Sequence, residues 1–257
     1  MSHVDAGAPD VPEINEPGFA DLRASLAAGW RDFMAAPLLG LAFAAVYVAG
    51  GWLVVWALTA KGQIWWTLPA SAGFPILGPF IACGYYEISR RLERGEPIDW
   101  AGVAGVIFRQ KDRQIPSMAA VIVVFFLFWN FLSHMIFALF LGTVTLTNVT
   151  SSFDVFLTGN GLIMLAVGTA VGAVFSTLLY ALTVVSLPLL LDREVDFVTA
   201  MLTSFALVQA NPVVMLAWGA FVGVALFAAM LPGFLGLFIA LPVLGHATWH
   251  LYRRALS

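Results

Sequence analysis

Residues 117–142 read SMAAVIVVFFLFWNFLSHMIFALFLG and contain no Asp, Glu, Lys or Arg. At a helical rise of about 1.5 Å per residue, such a run crosses the roughly 30 Å hydrocarbon layer of a bilayer. Five further apolar runs lie at Pro37–Thr59, Ile64–Tyr86, Gly161–Leu191, Val213–Met230 and Pro232–His250. The last two are parted only by the turn signal Leu231-Pro232-Gly233; unsplit they would make a helix of about 57 Å, so they read as two. The run from Gly161 is longer than a bilayer needs, which predicts tilt or an extension past Pro188. The expected fold is all-α: a polytopic membrane helical bundle of six transmembrane helices in three tandem hairpins, each preceded by a short cytoplasmic amphipathic helix.

Composition agrees with lipid as the main solvent. The chain of 257 residues is 61% hydrophobic and 11% charged, with a mean hydropathy of +0.91, whereas a soluble domain has roughly a quarter of its residues charged. A net charge of -3 provides no basic field for nucleic acid, so no nucleic-acid partner is expected. Cys83 is the single cysteine, which excludes an intramolecular disulfide and the usual cysteine-rich zinc sites. Residues 1–18 carry Asp5, Asp10, Glu13 and Glu16 with no Lys or Arg, the opposite of a signal peptide's basic start. They read as a disordered acidic tail ahead of a single membrane domain, 19–257.

Cations set the orientation. Eleven of the twelve Lys and Arg fall in the termini and the even-numbered loops, and only Lys61 falls on the other side. By the positive-inside rule both termini are cytoplasmic. Trp52, Trp56, Trp65 and Trp66 flank the first outer loop, where indoles anchor at the headgroup boundary. In the longest outer loop, Asn148-Val149-Thr150 has the form of a glycosylation acceptor, which is set aside because the resemblance described below points to bacteria.

A threefold internal pattern accompanies the spans. Phe19, Leu22, Leu26, Trp30 and Phe33 recur at helical spacing ahead of Pro37; Asp99 can cap a helix bearing Trp100, Val103 and Ile107 ahead of Pro116; Phe197, Met201, Phe205 and Val208 precede Pro212. The repeat units are about 19–95, 96–192 and 193–257, all entering from the same side.

Candidate sites are few, because no charged residue lies in the middle of a span. His246 and His250, four apart, can present both imidazoles to one metal. His134 differs from them in depth by about 15 Å on the helical rise, so a shared site lacks further ligands; interhelical hydrogen bonding is the favoured role and no cofactor is expected. Arg90, Arg91, Arg94, Arg109, Lys111 and Arg113 form a basic loop able to hold anionic lipid. Glu87, at offsets of 3 and 4 from Arg90 and Arg91, is placed for helix-end ion pairs. Thr169, Ser176, Thr177, Thr183 and Ser186 accompany the small residues Gly161, Gly168 and Gly172, and Gly219 and Gly223 repeat that spacing. Close helix packing is the favoured reading, and a polar pore lining would use the same residues.

Four motifs, Tyr86-Glu87-Ile88-Ser89-Arg90-Arg91-Leu92-Glu93-Arg94-Gly95-Glu96, Leu187-Pro188-Leu189-Leu190-Leu191-Asp192-Arg193, Asp196-Phe197-Val198-Thr199-Ala200-Met201 and Leu244-Gly245-His246-Ala247-Thr248-Trp249-His250, resemble an uncharacterised family of bacterial integral membrane proteins. The resemblance implies a bacterial inner membrane and no established activity. Some relatives carry a cytochrome c oxidase subunit I label. Catalysis of that kind needs several intramembrane histidines for haem and copper, and three at mismatched depths do not supply them. The label leaves an accessory role beside a respiratory complex. The expected function is thus a non-enzymatic scaffold or accessory subunit whose partners are the lipid bilayer and other membrane subunits. A transporter or channel for a small neutral or lipidic solute is the alternative, and a membrane metal or haem protein the third.

Overall fold

The computed structural model describes residues 12–61, 67–142 and 153–257. Trp65, Trp66, the Asn148 acceptor and residues 1–11 of the acidic tail lie outside them. The helices are α1 (Phe19–Ala35), α2 (Pro37–Lys61), α3 (Thr67–Arg94), α4 (Trp100–Gln110), α5 (Ile115–Leu141), α6 (Gly159–Thr183), α7 (Ser186–Asp192), α8 (Phe197–Ala210), α9 (Pro212–Met230) and α10 (Leu237–Ala255), with a short 3-10 helix at Phe153–Leu157.

Three times a short helix ends and a proline opens the long helix that follows: Pro37 starts α2, while Pro116 and Pro212 stand in the first turns of α5 and α9. Proline is favoured there because its missing N–H would have no helical partner anyway. Asp99 caps α4 by accepting from the Gly102 N–H at 2.6 Å. Asp196 does the same for α8, accepting from Val198 and Thr199. The split expected at Leu231-Pro232-Gly233 is present, with α9 ending at Met230 and α10 starting at Leu237. Gly233 takes the left-handed region there, at φ 63°, which glycine enters without steric penalty. Its carbonyl accepts from Trp52 Nε1 at 2.8 Å.

Among the described residues, four helices are long and apolar enough to cross a membrane: Pro37–Ala57, Ile115–Leu141, Gly159–Asp192 and Pro212–Met230, with mean hydropathies of 2.1 to 2.3. Helices α3 and α10 occupy the places of the expected second and sixth spans but fall outside this set. Glu87, Arg90, Arg91 and Arg94 end α3, and His246, His250, Arg253 and Arg254 crowd the last turns of α10. The physical reason is position. Helix α10 packs against α1, α2, α3 and α9 and buries Leu237, Pro242, Val243, Leu244, His246, Ala247, Trp249, Leu251, Tyr252 and Ala255. A helix ringed by protein can carry polar groups that a lipid-facing helix cannot.

Consecutive long helices pack together in each of the pairs α2 with α3, α5 with α6, and α9 with α10. The tight core, however, sits at one end of the bundle. Cys83, Ile115, Met118, Val185, Leu189, Leu207, Met215, Trp249 and Leu251 are nearly or wholly inaccessible there. Farther along the long helices large apolar side chains face outward: Leu139, Val174, Val224 and Leu231 expose more than half of their surface. The first described residues meet the end of α10 at the packed end, where Ile14 bridges Leu256 and the Asn15 N–H donates to the Ala255 carbonyl.

Candidate functional site

The packed end is also where the polar residues converge. Helix α1 lies along α10 so closely that a Cβ at Gly29 would fall 2.5 Å from the Val243 carbonyl oxygen and 2.6 Å from the Ala247 nitrogen. Only glycine permits that approach. Alongside, Ser89 and Glu93 on α3 face His246 and His250 on α10, each pair one helical turn apart.

His250 Nε2 stands 2.7 Å from Asp32 Oδ2, and its Nδ1 lies 3.5 Å from Glu93 Oε1. The fully buried His246 shares a 2.9 Å hydrogen bond between its Nδ1 and Ser89 Oγ, and its ring meets Tyr85 edge-on. Burial alone would raise the Asp32 carboxyl, but hydrogen bonding from His250 and Ser89, with the charge of His250, outweighs it and holds the group below its ordinary value. His246 Nε2 has no hydrogen-bond partner among the described residues.

A second group lies nearby. Glu87, 1% exposed, holds Arg91 at 2.7 Å and Arg90 at 2.5 Å, the helix-end ion pairs expected of it. Arg91 also donates to the Pro97 carbonyl. Asp192 accepts from Tyr252 Oη at 2.9 Å and faces Arg253 and Arg94 at 3.4 and 3.8 Å. Arg113 pairs with Glu194, and Arg254 with Asp21.

These contacts decide what the site can do. The His246 and His250 imidazoles are committed to α3 and α1, and among the described residues no group of three His, Cys, Asp or Glu is disposed to hold a metal. Ser89 is fully buried, with its hydroxyl against His246. His134 stands apart on α5, its Nδ1 bonded to its own helix at the Asn130 carbonyl. Of the basic loop, Arg90, Arg91, Arg94 and Arg113 are engaged by carboxylates, whereas Arg109 and Lys111 are exposed and form no ion pair among the described residues.

The α6 residues fall elsewhere. Thr169 and Ser176, with Ser133 of α5, border a groove of about 730 Å³ between α5 and α6, otherwise walled by apolar side chains such as Phe125, Trp129, Ile136 and Phe175. Ser176, Thr183 and Ser186 each donate to the carbonyl four residues back, which ties the hydroxyl to its own helix. Thr177 is exposed. The small residues meet rings: Gly172 faces Trp129 and Gly219 faces Tyr180.

Asp32, Ser89, Glu93 and Asp192 are the members of the polar network that sequence reasoning did not single out. The signal was available in the matched four-residue spacings, Ser89 to Glu93 and His246 to His250. No curated protein matches the chain, and no solved structure does. Residues 67–192, from the start of α3 to the end of α7, match the family described as Predicted integral membrane protein (DUF2189), the uncharacterised membrane family whose motifs the chain resembles.

Proposed function

We propose that this protein is a scaffold or accessory subunit of a bacterial inner-membrane assembly, without catalytic activity of its own. The observation that carries the reading is how bare its spans are. Only 6% of the most apolar stretch of Gly159–Asp192 is buried within the chain, with 11% for Pro212–Met230 and 17% for Ile115–Leu141. Spans so little buried by their own chain have faces free for other membrane helices to pack on. The polar network supports the same reading, since it joins α1, α3 and α10 and uses its donors and acceptors for that purpose.

In this reading α3 and α10 complete six spans in three hairpins, with the charged, packed end in the cytoplasm. Affinity purification in mild detergent tests it. A stoichiometric membrane partner is the expected result, and recovery as a lone stable monomer would overturn it. A second reading, passage of a lipidic solute, has the apolar groove between α5 and α6 in its favour. That groove is open to the side, as an acyl chain would require. The α6 hydroxyls, turned onto their own carbonyls, offer little to a polar solute.

A further inference from the structure

The short helices each pack one face on the bundle and leave bulky apolar groups on the other. On α1, Leu22 and Phe33 are buried while Phe19, Trp30 and Met34 are 53, 47 and 57% exposed. On α4, Val103 is buried while Trp100 and Phe108 are 54 and 68% exposed. On α8, Leu207 is buried while Val198 and Leu202 are 48 and 61% exposed. At about 100° per residue, Phe19, Arg23, Trp30 and Met34 fall within one narrow stripe of α1, and Trp100, Phe108 and Lys111 within one stripe of α4. Lys111 keeps helical backbone angles as the cap of α4. The corresponding stripe of α8 holds Val198, Leu202 and, where the others have a cation, Gln209.

Charge separates the stripes as well. Arg23, Arg31, Arg109 and Lys111 are exposed and form no ion pair among the described residues, while the acids that could neutralise them are largely occupied elsewhere. Asp21 faces Arg254, Asp32 faces His250, and Asp99 caps α4; Glu16 and Asp112 stay exposed nearby. Aromatic groups beside unpaired cations, at one end of a bundle of membrane helices, match the acyl boundary and the phosphate layer together.

We propose that the outer faces of α1 and α4 are docking surfaces for anionic phospholipid headgroups, with Arg23 on one helix and Lys111 on the other as the phosphate contacts, and that α8 docks on acyl chains without headgroup selectivity. Phospholipid is favoured over a soluble acidic partner because apolar and cationic groups alternate within the same stripe. The inference uses only the membrane setting and does not depend on the scaffold reading.

The test is lipid retention by the full chain, purified and exchanged into micelles doped with phosphatidylglycerol or phosphatidylcholine, and read by native mass spectrometry. The wild type should retain phosphatidylglycerol selectively and lose it in high salt. Arg23→Gln and Lys111→Gln should each lower its occupancy about fivefold, with phosphatidylcholine retention unchanged. Gln209→Lys, which leaves the native cations in place, should add a retained anionic lipid and keeps the proposal testable if a loss variant fails to fold. Equal retention of both lipids by the wild type, or no response to Gln209→Lys, would overturn it. So would displacement of bound lipid from these faces by a co-purifying acidic protein.

Discussion

His250 and Asp32 are 218 positions apart in the chain and 2.7 Å apart in the fold, Nε2 to Oδ2. That contact fastens the amphipathic α1 to α10, which buries ten of its 19 residues, beside the glycine that lets the two backbones meet. It sets the pH dependence of the packed end. The Asp32 carboxyl lies below its ordinary value because hydrogen bonds from His250 and Ser89 outweigh the opposing effect of burial. The unfolded chain therefore takes up the proton first. Its contribution to stability is fully present above about pH 4 and is lost as pH falls through the lower folded value. Thermal unfolding in detergent should show a transition temperature falling on acidification below that point. Asp32→Asn should flatten the fall and cost on the order of 1–3 kcal/mol near neutrality. A variant as stable as the wild type at every pH would refute the assignment.

Two serines separate network from helix. Ser89 bonds His246 from one helix to another, whereas Ser176 bonds its own α6 carbonyls. Ser89→Ala strands a buried imidazole and should destabilise by about 1–3 kcal/mol, while Ser176→Ala should be near neutral. Equal effects in a denaturation series would mean that Ser89 contributes no more than a local bond.

Gly29 offers a steric check. Adding a Cβ puts carbon against backbone atoms of Val243 and Ala247, which cannot rotate away. Gly29→Ala should therefore cost about 1–3 kcal/mol as overpacking and raise protease cleavage within α1. Gly105→Ala, where the nearest atom is the flexible end of Arg109, is the control and should behave as wild type.

The outward helices were legible from sequence because lipid imposes a simple rule: α2, α5, α6 and α9 must be apolar nearly all round, and hydropathy alone finds them. The proline-opened pairing of short and long helices was legible too, since Pro37, Pro116 and Pro212 mark it locally. Helices α3 and α10 were harder to place for the reason that makes them central. Sheltered by their neighbours, they carry Glu87, Ser89, His246 and His250, which weaken the apolar signal. The network itself depends on which helices pack together. Asp32 and His250 come from opposite ends of the chain, and no local spacing joins them. The basic loop illustrates the same limit, because composition gives its charge but only the fold shows that Glu87, Asp192 and Glu194 engage much of it.

The central claim is that the bare faces of the spans are there to meet other proteins. Val174, 70% exposed on α6, and Val224, 69% exposed on α9, sit on those faces. A photo-activatable amino acid placed at each, irradiated in native membranes and resolved by mass spectrometry, tests the claim directly. The account predicts a discrete protein adduct at one or both positions, of the same mass in repeated preparations. Adducts with lipid alone at both positions would contradict it.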